Sequence, residues 1–245
     1  MNIIEDGGNT SYIDSILLYL FYNNQELLNN DPENNKYIYL QEIIKTKFIE
    51  PVKKNNVIFS NIMSEIQNYL FFFGFNNKNP IELFIFLFEK LNFEPIRISF
   101  INNTFETIKQ NISHINLIAD KDCTIKELYI NFVQNNNEIL DFKNNIEILN
   151  LPKQINFHIE RKCSCKVDIL NIISLFVNDS IKEKEFKWKF NSLIGFSNGK
   201  YYSIIHENKK LYIVKNSMIP SKILIDRSII DMIKNEVIFV SYLSK

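Results

Sequence analysis

GGNTSYIDSILLYLF, Gly7 to Phe21, is the stretch on which the reading of the fold turns. Two of the chain's 5 glycines stand together ahead of Asn9-Thr10-Ser11, and an amphipathic run follows them. Ile13, Ile16, Leu17, Leu20 and Phe21 recur at the spacing of one buried helix face, so a helix is expected over Tyr12 to Leu28. The mouth of a helix favours anions and nucleophiles, because its first N–H groups are unpaired and the dipole is positive there. Ser11 is therefore a candidate nucleophile, a relic of one, or simply a cap. In the last case Asp14, three residues on, would complete a capping box.

Beyond this stretch the first hundred residues keep a helical texture. Lys36 to Phe48 and Val57 to Phe73 carry looser apolar periodicity. Asn79-Pro80 marks a helix start, since Pro at the first helical position gives up no hydrogen bond, and that helix should run from Ile81 to about Leu91. After Glu94-Pro95 the pattern changes to short runs bounded by Asn, Gly and Lys: IRISF, INLIA, INFHI, SLIGF, YYSII, LYIV and VIFVSYL. Those are strand signals, interrupted by one helix at about Thr124 to Val133. Helices first and strands later predict an α+β fold, with an N-terminal helical lobe packed on a C-terminal, mostly antiparallel sheet lobe.

Composition narrows the function classes. Lys+Arg and Asp+Glu number 28 each, so overall charge gives no reason to expect nucleic acid or an anionic membrane as partner. Three cysteines do not make a disulfide framework, which points to an intracellular, reducing setting such as the cytoplasm. Apolar runs such as LFIFLF, Leu83 to Phe88, are too short to span a bilayer, and no signal segment is recognisable. The excess of Asn, Ile and Lys matches AT-rich coding, as in a large DNA virus or an AT-rich parasite, and the Asn clusters read as polar loops.

Four separated segments, closed by a fifth, carry a resemblance. GGNTSYIDSILLYLF resembles the GNTCYMNSxLQ box that opens the catalytic domain of ubiquitin-specific proteases. NPIELFIFLFEKL, Asn79 to Leu91, is similar to that family's QDAxEFLxxLLDxL helix, with Glu82, Leu83, Phe84, Leu87 and Leu91 in matching places. LPKQINFHIERK, Leu151 to Lys162, resembles its LPxxLxIHLxRF strand, and Phe186 to Ile219 resembles the closing block with GHYxSxxxxxxxWYxFDDxxV. VIFVSYL resembles the last strand of such domains. The order and approximate spacing hold over nearly the whole chain.

The resemblance implies a papain-like fold in one domain over residues 1–245. Its parts would be a thumb-like helical lobe (1–95), reduced fingers (96–150) and a palm-like sheet (151–245). It also implies where a site would lie. In the family, a cysteine at a helix mouth is activated by a His that an Asp or Asn orients, and a polar side chain helps hold the oxyanion. Residue by residue, the cysteine position is Ser11 and the His position is Lys200. The orienting positions are Lys215 and Asn216, and the oxyanion-hole position is Asp6.

A serine hydroxyl needs a general base more than a thiol does. A charged Lys200 is not one, Lys215 orients nothing, and an ionised Asp6 repels a developing oxyanion. Only Asn216 keeps a residue type the family uses. These residue types point away from an enzyme and towards an inactive module for protein binding or scaffolding. Its partner would be ubiquitin or a virion or replication-complex protein. The alternatives are a Ser11–Lys200 hydrolase and an active thiol peptidase met as a Cys-to-Ser variant.

Other residues read as structural. His206 lies about 20 Å along a strand from Lys200 and is expected as an exposed turn residue. His158 is expected to be structural, and nothing is assigned to His114. Cys123, Cys163 and Cys165 offer neither the count nor the spacing of a closed zinc site, so no metal or other cofactor is expected. Phe71-Phe72-Phe73 and Tyr201-Tyr202 are expected in the core. KEKEFKWKF is expected on a solvated strand edge.

Overall fold

The structure, a computed structural model, describes residues 10–54, 58, 60–101, 106–134, 146–150, 152–169, 172–179, 182–208, 210–215, 221–225 and 227–244. Helices come first: α1 (Ser11–Phe21), α2 (Ile38–Ile43), α3 (Glu50–Lys53), α4 (Ser60–Phe72) and α5 (Pro80–Lys90). Strands β1 (Ile96–Ile101), β2 (Thr107–Ile112), β3 (Ile115–Ala119) and β4 (Cys123–Thr124) follow, then α6 (Ile125–Gln134). The rest is β5 (Glu147–Ile148), β6 (Gln154–Arg161), β7 (Val167–Asp168), β8 (Ile172–Asp179), β9 (Lys182–Ser197) and β10 (Lys200–Glu207). The chain closes with β11 (Lys210–Lys215), β12 (Ser221–Leu224), α7 (Arg227–Glu236) and β13 (Val237–Ser244). This is the α+β order expected from the sequence.

Local chemistry explains the boundaries, including those that differ from expectation. α1 stops at Phe21 rather than Leu28, because Asn24 leaves the helical region (φ −135°, ψ 61°); a 3₁₀ turn, Gln25–Asn29, follows. Between α2 and α3 the chain makes a π turn, Ile44–Ile49. Pro51, two residues on, has no N–H for a carbonyl one turn back, and a widened turn accommodates that loss. α5 starts as expected: the Asn79 side chain accepts the Ile81 N–H at 2.8 Å, and Pro80 takes the first helical position. At α6 the Thr124 hydroxyl accepts the Glu127 N–H at 3.2 Å, while Glu127 accepts the Thr124 N–H at 2.7 Å, a reciprocal capping box.

Contacts divide the chain into two compact units, residues 1–93 with 192–230, and residues 94–191 with 231–245. The first unit holds α1 to α5 and the strand order β12-β11-β10-β9, antiparallel throughout, with residues 192–197 of β9 taking part. α1 lies against β10 and α5, and every residue from Tyr12 to Phe21 is buried. In the second unit the order is β9-β13-β6-β3, with β3 parallel to β6, and β8 pairs with β9. Its core gathers Tyr129, Phe157, Phe190 and Tyr242 in edge-to-face contact.

Two apolar or charged runs fall elsewhere than the sequence pattern suggests. Phe71 and Phe72 are exposed at the end of α4, not in the core, while Tyr202 is buried. KEKEFKWKF is no edge: β9 pairs with β8 along it, and Trp188 is buried between exposed Lys187 and Lys189.

Candidate functional site

Ser11 opens α1 as its first helical residue and is half-buried. It is not the cap. Thr10 holds that position and makes no side-chain capping bond, so the expected Ser11–Asp14 box is not formed; Asp14 is buried one turn in. The Ser11 hydroxyl instead accepts the backbone N–H of Tyr201 at 3.4 Å, near the outer limit for such a bond.

That contact is the first of a series. The Ser203 hydroxyl donates to the Ser15 carbonyl at 2.9 Å, and the Ser192 hydroxyl donates to the Tyr19 carbonyl at 2.8 Å. Further along, the Tyr22 hydroxyl donates to Glu207 Oε1 at 2.6 Å, and Asn23 donates to the His206 carbonyl at 3.0 Å. Ser11, Ser15 and Tyr19 are one helical turn apart, so a single stripe of α1 faces the sheet. The helix and β10 run side by side in the same direction. Eleven helical steps from Ser11 to Tyr22 cover about 16 Å, and six strand steps from Tyr201 to Glu207 cover about 20 Å. Small serines on both partners let the backbones approach. Burial, reinforced by Glu207, raises the Tyr22 phenol above its ordinary pKa, so it remains a donor.

Lys200 enters β10 directly after a two-residue hairpin. Asn198 and Gly199 both have positive φ (51° and 76°), as a type I′ turn between Ser197 and Lys200 requires. The glycine before Lys200 thus has a structural reason in this hairpin. Lys200 is exposed. Beside it Tyr201 packs on its cross-strand neighbour Phe196, with ring centroids 4.8 Å apart and the planes tilted by 48°. Phe196 is 43 % exposed, so the surface next to Ser11 is aromatic.

Of the positions singled out from sequence, Ser11 and the Lys200–Tyr201 segment therefore come together. The backbone of Lys215 pairs with Tyr202 and Ser221, while its side chain, Asn216 and Asp6 lie outside the described residues. His206 is a half-buried strand residue opposite Leu211, not an exposed turn residue. Ser192 and Phe196 carry no motif, Ser203 falls on the Ser of the GHYxS pattern, and no local pattern marks partners more than 170 residues away in the chain.

The remaining histidines and all the thiols belong to the second unit. His158 pairs with Asn116 Oδ1 at 2.9 Å, and its ring meets His114 at 5.9 Å. Cys163 donates to the Asp120 carbonyl at 2.9 Å and Cys165 to the Ala119 carbonyl at 3.5 Å. Burial pushes the Cys123 thiol up to about 11 and also raises Cys165, the opposite of an activated thiol. Among the described residues no group of three or more His, Cys, Asp or Glu side chains is placed to hold a metal ion. No described helix is long and apolar enough to cross a membrane.

Helices, sheet order and strand connections together define an α+β chain with the fold of the ubiquitin-specific proteases. No protein-family model matches the chain, and neither does any curated protein. Solved structures do. A chain of the SAGA DUB module of Ubp8, Sgf11, Sus1 and Sgf73, with a Cys-to-Ala Ubp8 and bound to monoubiquitin, superposes with a TM-score of 0.69 at 12% identity. It covers 100% of this chain and 69% of that one. The same module bound to ubiquitin aldehyde gives a TM-score of 0.70 at 11% identity, covering 100% of this chain and 70% of that one. A yeast SAGA DUB module with a Tyr-to-Ala change in Sgf73 gives 0.69 at 11% identity, covering 100% and 68%. At such identity the likeness is one of fold.

Proposed function

We propose that the chain is a catalytically silent module of the ubiquitin-specific protease fold that acts by binding protein. Residues 1–95, 96–150 and 151–245 would be the counterparts of its thumb, fingers and palm. One observation carries the reading. The unit that holds Ser11 has no cysteine in its sequence, and its one histidine, His206, lies at the opposite end of α1, beside Asn23. Acyl transfer needs a nucleophile and a base within hydrogen-bond reach of each other. Ser11 meets a backbone N–H there instead.

The exposure of Lys200 weighs against a Ser–Lys hydrolase, which requires a lysine shielded from water so that it gives up its proton. Ubiquitin is the proposed partner class, because two of the similar structures are ubiquitin complexes. The aromatic surface of Phe196 and Tyr201 beside Ser11 would suit an extended apolar segment.

A fluorogenic ubiquitin-tail assay on the wild type and on Ser11→Cys, with titration calorimetry against ubiquitin and diubiquitin, tests both parts. The expected result is no turnover from either protein and measurable heat of binding. Turnover by the wild type overturns the silent reading. Absence of heat at high micromolar concentration removes ubiquitin as the partner.

A further inference from the structure

Phe71 and Phe72 end α4 with their rings in water, 65% and 80% exposed. Their backbone is nonetheless fixed. The Gly74 N–H bonds to the Phe71 carbonyl and the Phe75 N–H to the Leu70 carbonyl, both at 2.9 Å, with Gly74 at φ 95°. This is a Schellman cap, and it holds the two aromatic residues at a rigid helix end. The rings continue into a larger surface. Phe72 packs on Phe73 and Phe73 on Tyr37, both with centroids 5.4 Å apart, and Tyr39 packs on Tyr69 at 5.3 Å. α2 packs against α4 on its Tyr69 flank, so Ile38 and Tyr39, 51% and 53% exposed, lie to one side of Phe72, and Phe71 lies to the other.

We propose that this aromatic face is the contact between two copies of the chain. The area fits. At roughly 200 Å² for a fully exposed large side chain, the four residues leave about 500 Å² of mainly apolar surface open. A standard interface buries about 800 Å² on each partner, about 65% of it apolar in homodimers, which is also close to 500 Å². A patch of about 500 Å² is the size of the largest apolar patch on a typical monomer, and such patches are often functional.

The charges favour a second copy over a lipid surface. Ile38, Tyr39, Tyr69, Phe71 and Phe72 carry none, and the chain's net charge is +0, so two copies do not repel. A membrane site would be ringed by unpaired cations. Here two of the neighbouring cations are engaged within the fold, Lys47 with Glu65 at 2.6 Å and Lys36 over the Tyr37 ring at 4.8 Å. In a two-fold contact each Phe72 meets the partner's own ring cluster, and aromatic rings suit one another edge to face.

Sedimentation velocity on the full chain, from low to high micromolar, is the test. The mass is expected to rise from 29.1 kDa towards twice that value. Phe72→Asp is expected to weaken association at least tenfold while the monomer, at concentrations too low for association, still unfolds cooperatively, because most of that ring is in water. Ile38→Lys, on the other helix, is the second variant and should act the same way. A wild type that stays monomeric throughout overturns the proposal, as does undiminished association in a folded variant. Uptake of a monomeric chain by phosphatidylcholine vesicles also overturns it, placing lipid on this face.

Discussion

The ring of Tyr202 occupies the space in which any side chain at Gly195 would stand. A Cβ added to Gly195 would lie 2.2 Å from Tyr202 Cζ and 2.3 Å from its hydroxyl oxygen, and the two residues are register partners across β9 and β10. An aromatic ring folded over a strand glycine closes the gap that the missing side chain leaves. Gly195→Ala should therefore cost about 3 kcal/mol, the upper range for overpacking a tight site. Urea denaturation measures it; a loss below about 1 kcal/mol would mean that Tyr202 moves aside easily.

Ser192 and Ser203 are the buried donors that tie α1 to the sheet. Each hydrogen bond should be worth about 1 kcal/mol, so Ser203→Ala and Ser192→Ala are each expected to lose about that much stability. The acceptors are carbonyls one turn apart on the same helix, and the double variant should also loosen its docking. Hydrogen exchange at α1 amides is expected to rise more in the double variant than in either single one. Unchanged protection would show that apolar packing alone holds α1.

Arg161 ties the end of α7, the start of β13 and the connection between β6 and β7 together with one guanidinium. Its Nε donates to the Cys165 carbonyl at 3.2 Å, Nη2 to the Lys234 carbonyl at 3.0 Å, and Nη1 to the Val237 carbonyl. A planar fork reaches three separate acceptors; a lysine ammonium is a single point and does not. Arg161→Ala should cost about 3 kcal/mol, within the range for losing charged hydrogen bonds. Arg161→Lys should recover less than half of it. Equal stability of the lysine variant and the wild type would show that charge, not geometry, is the requirement.

His114 and His158 are held neutral, chiefly by burial. The pKa of His114 is lowered to about 4, with the neighbouring His158 adding to the effect. His158 is lowered by the same desolvation, partly countered by Glu160. Ser113, Asn116 and Phe239 also lie against them. An unfolded histidine protonates near 6.5, so this stability is present above that pH and is lost as pH falls towards 4. At 1.36 kcal/mol per unit, the His114 contribution is about 3 kcal/mol. His114→Phe, which keeps an aromatic ring against Phe239, should flatten the acid limb of the stability curve. An unchanged limb would assign the loss to other groups.

How much of this was legible along the chain depends on the range of the interaction. Asn79-Pro80 announced the start of α5 because a cap and a fixed φ act within three residues. The seven strand runs read from alternation all became strands, and Asn198-Gly199 formed the kind of turn its residue types favour. The helix-first, strand-later order was likewise sufficient for the α+β class. α7 has no counterpart among the elements expected from sequence, although its ten residues carry an amphipathic pattern.

Burial was less legible, since an apolar residue is core only if something covers it. Phe71 and Phe72 continue a helix pattern, yet the Schellman turn ends α4 with both rings in solvent. Lys187 and Lys189 flank a tryptophan that β9 buries. The amino-acid order by itself determined the elements, their sequence and the residue types offered at Ser11 and Lys200. Only the tertiary structure decided that the Ser11 hydroxyl, 190 residues from its partner, meets a Tyr201 amide while His206 stands at the other end of the helix. Periodicity and capping are written into a few neighbouring residues, whereas which donor meets which acceptor across the fold is set by how whole elements pack.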